Sequence, residues 1–187
     1  MEIFSPNLIG PVFGLSEFGL LLAKRSGRDG QSADRGSLRL LWSVILSCIV
    51  LAVLAGSFVP QANLAWLMRL RTLGGVLFIL GLILRWYSII YLGQFFTVNV
   101  AIAADHRVID TGPYRFVRHP SYSGSLLEFL GFGIIFGNWL SLALLVLPVG
   151  LAFGRRIAIE ERALSEALGE AYVRYMARTK RLIPGIY

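Results

Sequence analysis

Long apolar segments separated by basic loops are the feature that most constrains this chain. Of its 187 residues, 56% are hydrophobic and the mean hydropathy is +0.66, whereas soluble domains are roughly 45–50% apolar. Helical segments of about 20 apolar residues match a hydrocarbon core about 30 Å thick. The sequence therefore predicts an all-α integral membrane protein made of a single domain.

Five membrane-spanning helices are predicted from this pattern. Their bounds are 3–23, 38–59, 70–92, 121–136 and 139–153. The first is interrupted by Pro6, Pro11 and Glu17 and is the least regular. The last two are short and are joined only by Gly137-Asn138, a turn signal that predicts an antiparallel hairpin. We expect this pair to be tilted or to cross a locally thinned bilayer.

Basic residues predict the orientation in the membrane. The loop 24–39 and the tail after Arg155 are rich in arginine, and such segments stay in the cytoplasm. Five spans then place the N-terminus outside. The net charge of +7 and the pI near 10.1 have the same explanation, so nucleic-acid binding is not predicted. The membrane would be the plasma (inner) membrane of a prokaryote or the endoplasmic reticulum of a eukaryote.

Two charged side chains fall inside the predicted spans. Arg85 lies near the inner end of the third span, where a side chain that snorkels to the headgroups is predicted over one that binds an anionic group. Glu128 lies in the fourth span, and because an ionised carboxylate is costly in lipid, it should face protein. Its role is either structural or that of a pocket-lining group.

The segment 112–124, GPYRFVRHPSYSG, is the most distinctive part of the chain. It ends a mixed polar loop, 93–120, and its Gly-Pro and His-Pro pairs force turns, because proline fixes φ and restricts the residue before it. Long structured loops of this kind are usually functional. Tyr114, Arg115 and Arg118 either anchor the loop at headgroup depth or line a pocket.

An amphipathic helix is predicted over 156–178, because apolar residues recur there at spacings of three and four. Gly169 weakens it in the middle. Arg156 and Glu160 are four residues apart and share a face. Glu160 either lies on an exposed helix face or, together with Arg156, holds the opposite charges of two reactants at the membrane boundary. The basic end of the tail, 178–184, suits anionic lipid headgroups.

Other chemistries have little support in the sequence. The chain has two histidines and one cysteine, and their spacing suits no metal site. Ser121 and Ser123 flank His119 too closely to pair a nucleophile with a base, and the glycine pattern of a dinucleotide fold is missing. The polar candidates that are left are arginines, carboxylates and aromatic rings beside lipid.

These residues resemble the isoprenylcysteine carboxyl methyltransferase family, within the wider group that includes phospholipid methyltransferases. The matching segments are LGQFFT at 92–97, HRVIDTGPYRFVRHPSYSG at 106–124, GNW at 137–139 and RIAIEERALSEALGEAYVRYMARTKRLIP at 156–184. The resemblance covers roughly the C-terminal half. The apolar segments predict three N-terminal spans in 1–91, which match the family only in span count and loop charge. The resemblance implies that 92–187 forms a cofactor-binding loop, the helical hairpin and the C-terminal helix.

The resemblance also implies S-adenosylmethionine-dependent methyl transfer to the carboxylate of a lipophilic acceptor, either a small molecule or a prenylated peptide. The cofactor pocket would lie on the cytoplasmic side, between the loop before the fourth helix and the C-terminal helix, and the acceptor would enter from the bilayer. Arg156 would face the substrate carboxylate. The cofactor would be held by His106, Arg107, Val108, Ile109, Tyr114, His119, Pro120, Ser121, Tyr122 and Glu160. Ala101 stands where relatives usually carry a polar or acidic residue.

Other functions stay open on the sequence. An amine acceptor such as phosphatidylethanolamine must lose a proton, which requires a free base and makes Arg156 unhelpful. A thiol acceptor would use an arginine to stabilise its thiolate. A sterol-type reductase would need a phosphate-binding site for NADPH. A membrane scaffold or transporter is disfavoured, because the polar residues gather at one face of the membrane and not along the spans.

Overall fold

The computed structural model of the protein describes residues 4–23, 35–96 and 107–187. Its helices are α1 Pro6–Ala23, α2 Arg35–Phe58, α3 Ala65–Arg69, α4 Arg71–Leu92, α5 Pro120–Phe136, α6 Trp139–Leu168 and α7 Glu170–Arg178. Short 3-10 turns are found at Pro60–Ala62, Gly93–Phe95 and Gly112–Arg115. No β-strand occurs in these ranges, and the predicted all-α fold is confirmed.

Three segments are long and apolar enough to cross a membrane: Gly36–Phe58, Arg71–Phe95 and Trp139–Leu168. They correspond to the second, third and fifth predicted spans. Helices α1 and α5 are shorter, with 18 and 17 residues. Helix α5 lies against α4 and α6 along its length. The total of five spans stays a prediction.

The tail does not begin a separate helix at Arg156. Helix α6 runs without interruption for 30 residues, so the predicted break between a helix that ends at residue 153 and a new helix that begins at 156 is wrong. The buried stripe of Val149, Phe153 and Ile157 continues at a spacing of four, which keeps the helix packed. The chain breaks instead at Gly169, whose φ of 56° favours glycine, and α7 follows.

The hairpin predicted at Gly137-Asn138 is confirmed. Gly137 ends α5 in the left-handed conformation, with φ 68°, and the side chain of Asn138 caps α6 by accepting a bond from the backbone N–H of Ser141 at 3.0 Å. Asn138 is fully buried, and its amide also donates to the carbonyl of Val59 at 3.0 Å and to Asn63 Oδ1 at 2.9 Å. One asparagine therefore ties the hairpin to the end of α2.

Helices α4 and α5 meet along a seam of glycines. A Cβ atom placed on Gly131 would lie 2.4 Å from the carbonyl oxygen of Gly74, and one placed on Gly124 would lie 2.6 Å from that of Gly81. Small residues of this kind let two membrane helices approach to backbone contact. The seam fixes the distance between α4 and α5. It therefore also fixes the distance between the polar side chains at the ends of the two helices.

We expect Gly131→Ala to destabilise the protein by about 1–3 kcal/mol, because the new methyl group forces the two helices apart. The matched control is Gly154→Ala in α6, where nothing lies within 4 Å of the added Cβ. Its stability should stay the same or rise, since alanine is the better helix former. The measurement is the midpoint of thermal unfolding in detergent, and equal midpoints for the two variants would contradict the seam.

Candidate functional site

A cavity opens between α1, α2, α4, α5 and α6 and reaches the turn that precedes α5. Its polar lining consists of Tyr114, Arg118, His119, Ser121, Tyr122, Ser125, Arg156 and Glu160. Its apolar lining consists of Phe13, Leu20, Leu38, Leu41, Trp42, Ile45, Ile89, Leu92, Phe96, Phe129 and Phe153. Glu17 and Arg85 complete it. The cavity therefore combines charged groups with a large hydrocarbon surface.

Half of the ten predicted cofactor-binding residues come together here. The residues that line the cavity are Tyr114, His119, Ser121, Tyr122 and Glu160. Pro120 is buried as the first residue of α5.

The remaining predicted residues lie elsewhere. Arg107 stacks over the ring of Phe95, with 5.9 Å from its guanidinium carbon to the ring centroid. Val108 lines a separate groove beside α7, and Ile109 is half-buried. None of the three lines the cavity. His106 and Ala101 lie outside the described residues. The cofactor contacts predicted for 106–109 stay predictions.

Arg156 and Glu160 lie one turn apart on α6 and both face the cavity. Arg156 is 3% exposed and donates a hydrogen bond to Ser37 Oγ on α2. The hydroxyl of Tyr122 donates to Glu160 Oε2 at 3.1 Å. The alternative of an exposed helix face for Glu160 is therefore wrong. A cation and an anion are presented side by side to the same space.

Glu161 binds two arginines and a histidine, and it points in a different direction from Glu160. Arg118 Nε donates to Glu161 Oε1 at 2.8 Å, and His119 Nε2 lies 3.3 Å from the same oxygen. Arg181, in the tail, donates to Glu161 Oε2 through Nε at 3.0 Å and Nη2 at 2.8 Å. Because consecutive helix positions point about 100° apart, adjacent carboxylates face different partners. The Glu-Glu pair was the only sequence signal for this network.

The tail packs onto the turn before α5 through backbone bonds as well. The N–H of Arg118 donates to the carbonyl of Lys180 at 2.8 Å, and the N–H of His119 donates to that of Arg181 at 3.0 Å. Arg118 Nη1 also donates to the carbonyl of Met176 at 3.0 Å. Arg118 thus lines the cavity while it is bonded to the tail, and the pocket-lining alternative is the one that the structure supports.

Tyr114 closes the cavity on the loop side. Its hydroxyl donates to the carbonyl of Ser88 on α4 at 3.2 Å, and its own carbonyl accepts a bond from the Tyr175 hydroxyl of α7 at 2.6 Å. Burial raises the pKa of Tyr114, and the nearby Glu160 carboxylate raises it further. The hydroxyl therefore stays protonated and serves as a donor.

Arg85 does not snorkel to the headgroups, which corrects the sequence prediction. Its Nη1 lies 2.6 Å from Glu17 Oε1, its Nη2 donates to Glu17 Oε2 at 2.8 Å, and Nη1 lies 3.6 Å from Glu128 Oε2. Helix α1 supplies a carboxylate that pairs with Arg85 where both side chains are largely buried. Glu128 is fully buried, as predicted.

Within the described ranges, no three His, Cys, Asp or Glu side chains converge on a metal site.

The sequence profile of the isoprenylcysteine carboxyl methyltransferase (ICMT) family matches residues 73–166, which is half of the chain. The chain belongs to this family. The matched segment contains α4, α5 and most of α6, and so it includes the glycine seam, Arg156 and Glu160. The family membership confirms the resemblance found in the sequence motifs.

Individual relatives agree with the family. The chain is 33% identical over 129 residues to protein-S-isoprenylcysteine O-methyltransferase B of Arabidopsis thaliana. It is 36% identical over 107 residues to the protein-S-isoprenylcysteine O-methyltransferase of Schizosaccharomyces pombe. These matches cover 68% and 56% of this chain and 64% and 45% of the two relatives.

A solved structure resembles the whole chain. The structure of the eukaryotic intramembrane Ras methyltransferase ICMT superposes with a TM-score of 0.71 at 26% identity. The superposition covers 99% of this chain and 70% of that one. The N-terminal helices, which the family profile leaves out, therefore have counterparts in the fold of that enzyme.

We expect Glu161→Ala to lower the stability strongly, because removing one partner of a buried ion network costs roughly 3–5 kcal/mol. The matched variant is Glu160→Ala, which removes one hydrogen bond from Tyr122, worth about 1 kcal/mol. Thermal unfolding of both variants in detergent is the measurement. If Glu160→Ala were the less stable of the two, the structural role of Glu161 would be refuted.

Proposed function

We propose that this protein transfers a methyl group from S-adenosylmethionine to the carboxylate of a lipophilic acceptor of the isoprenylcysteine class. The observation that carries the proposal is the pairing of Arg156 and Glu160 on one turn of α6, inside a cavity that also has an extensive apolar lining. A carboxylate acceptor and a cationic methyl donor require these opposite charges side by side. Membership in the methyltransferase family supports the same reaction.

Arg156 is the residue that binds the acceptor carboxylate. A C-terminal carboxylate has a pKa of roughly 3.3–3.7, so it is ionised at neutral pH and the protein needs no general base to activate it. The guanidinium offers a charge-assisted, bidentate contact that orients the carboxylate. Ser37 on α2 accepts a hydrogen bond from Arg156, which limits the side chain to few conformations and so pre-organises it.

The polar lining fits the methyl donor. When bound, S-adenosylmethionine supplies a methyl group on a positively charged sulfonium, which a nucleophile accepts as the carbon–sulfur bond breaks. Glu160 offers a carboxylate to a cationic ligand, and Tyr114 and Tyr122 offer aromatic faces for cation–π contacts. His119 and Ser121 lie in the same lining. His106, Arg107, Val108 and Ile109 complete the proposed binding segment.

The apolar lining, largely from α1 and α2, is proposed to hold the hydrocarbon chain of the acceptor. A groove between α1, α2 and α5 continues from the cavity, since Phe13, Glu17, Trp42 and Ile45 line both. Burial of hydrocarbon in it contributes about 25 cal/mol per Å². The acceptor, a lipophilic small molecule or a prenylated peptide, would thus enter from the bilayer, with the charged groups on the cytoplasmic side.

The rival chemistries place different demands on the same residues. A protonated amine acceptor would be repelled by Arg156 and would need a free base, whereas Glu160 is engaged by Tyr122. A thiolate would suit Arg156 as well as a carboxylate does, so acceptors of all three kinds belong in the assay. Reduction by NADPH would need a site for its phosphates.

We expect Arg156→Ala to reduce methyl transfer about a hundredfold or more, the usual effect of removing one pre-organised donor, while S-adenosylmethionine still binds. The control is Arg155→Ala, which removes the neighbouring exposed arginine and should leave the rate within about twofold. Transfer of labelled methyl to a prenylcysteine acceptor is the measurement. Near-normal turnover by Arg156→Ala would rule out the carboxylate clamp.

We expect calorimetric titration of the detergent-purified protein to show saturable binding of S-adenosylmethionine and none of NADPH. Glu160→Ala should weaken that binding about tenfold, because a charge-assisted contact is lost, and Glu166→Ala, at an exposed position of the same helix, should not. Binding of NADPH alone would favour the reductase. Binding of neither ligand would favour a scaffold or a transporter.

A further inference from the structure

We propose that the tail and the turn before α5 together form a docking surface for anionic phospholipids, on the membrane face that the sequence predicts to be cytoplasmic. This tail surface consists of the apolar side chains of Phe116, Ile183 and Ile186 and the basic side chains of Arg115 and Lys180. It extends the expectation for the basic tail by adding apolar groups and a link to the cavity. The proposal goes beyond methyl transfer, because none of these five residues lines the cavity.

The apolar members of the tail surface are exposed. Ile186 is 74% exposed, Phe116 63% and Ile183 50%. Removing apolar surface from water contributes about 25 cal/mol per Å², and a cluster of exposed apolar side chains is typical of a surface that meets a membrane or another molecule. These three side chains are therefore expected to be covered.

Helix α6 places the tail at the depth of the lipid headgroups. From Trp139, the first residue of α6, to Glu161 the helix rises about 33 Å, and the hydrocarbon core of a bilayer is about 30 Å thick. Trp139 is exposed, and tryptophan is enriched at membrane interfaces. Glu161 then lies near the opposite interface, where Arg181 of the tail binds it at 2.8 Å.

The two parts of the tail surface lie side by side. Val117 and Lys180 form an isolated parallel bridge, which sets Phe116 beside the tail. Ser123 Oγ, in the first turns of α5, donates to the carbonyl of Leu182 at 2.7 Å. The exposed apolar groups are thus carried on a bonded backbone, and they belong to one surface.

The charges of the tail surface select the kind of lipid. Arg178 and Arg181 are paired with carboxylates. Among the residues that the structure describes, Arg115 and Lys180 form no ion pair, and both are exposed. Basic residues at this depth are attracted to anionic headgroups. Charge complementarity therefore favours anionic phospholipid over neutral phospholipid as the occupant.

Lipid contact at the tail surface stabilises the turn that lines the cavity. The backbone N–H groups of Arg118 and His119 donate to the carbonyls of Lys180 and Arg181, so the tail leaves the turn only when these bonds open. A ligand that binds only the docked tail raises the free energy of that opening. The amide protons of Arg118 and His119 then exchange with solvent more slowly.

The test measures hydrogen exchange of the Arg118 and His119 amides in lipid nanodiscs. One set contains phosphatidylcholine alone, and the other contains phosphatidylcholine and phosphatidylglycerol in equal amounts. We expect exchange in the wild type to be about 25-fold slower in the anionic set, since each of two basic residues at an anionic surface contributes about a factor of five. Arg115→Gln and Lys180→Gln should each lower this ratio about fivefold.

Two further variants separate local contact from overall charge. Arg69 is exposed and lies in α3, beside the Gly137 end of α5, so Arg69→Gln removes the same charge far from the tail and should leave the ratio unchanged. Ile186→Ser should speed exchange in both sets of nanodiscs, because the contact of an apolar side chain with lipid does not depend on headgroup charge.

The outcomes are distinct. Equal exchange of the wild type in the two sets would overturn the proposal and would favour a soluble acidic partner as the occupant of the tail surface. An equal fall of the ratio in Arg69→Gln and Lys180→Gln would overturn it as well, since the effect would then come from overall charge. The measurement uses neither methyl donor nor acceptor, so its result does not depend on the proposed function.

Discussion

The arrangement of the site depends on the shared carboxylate of Glu161. It collects Arg118 and His119 from the turn before α5 and Arg181 from the tail, and so joins both of these segments to α6. The Glu161 carboxylate and the two arginines would be costly to bury alone, and together they satisfy one another. The network fixes the start of α5 against the end of α6. Tyr122 and Glu160, which line the cavity from the same two helices, are bonded to each other beside it.

The two adjacent glutamates of α6 have different partners, because consecutive positions of a helix point in different directions. Glu160 faces the cavity and accepts from Tyr122, whereas Glu161 faces the tail. Among the described residues, Glu160 has one side-chain hydrogen-bond partner, and Glu161 has three. Deeper in the protein, Glu128 is enclosed beside the glycine seam, and Glu17, which lines the cavity, pairs with Arg85 through both oxygens.

Much of this could be predicted from the sequence. The long apolar segments correspond to α2, α4 and α6, the Gly-Asn turn is a hairpin, and Arg156 and Glu160 share a face of the cavity. These features follow from local periodicity and turn chemistry. The end of α6 was mispredicted because charge begins at 155, although the buried stripe continues on one face to Ile157. The ion pair of Arg85 could not be predicted, because its partner Glu17 is 68 residues away in the chain.

The sequence by itself determined that the chain is helical, that it belongs in a membrane and that its polar chemistry lies in the turn before α5 and in the last third of the chain. Hydrophobicity and helical period act over a few residues and can be read locally. Only the tertiary structure decided which charges pair. Arg118, His119 and Arg181 meet at Glu161 across separations of 43, 42 and 20 residues. Charges attract through space, so their pairing depends on which helices are neighbours. Packing decides which helices are neighbours, and the local sequence pattern carries no information about it.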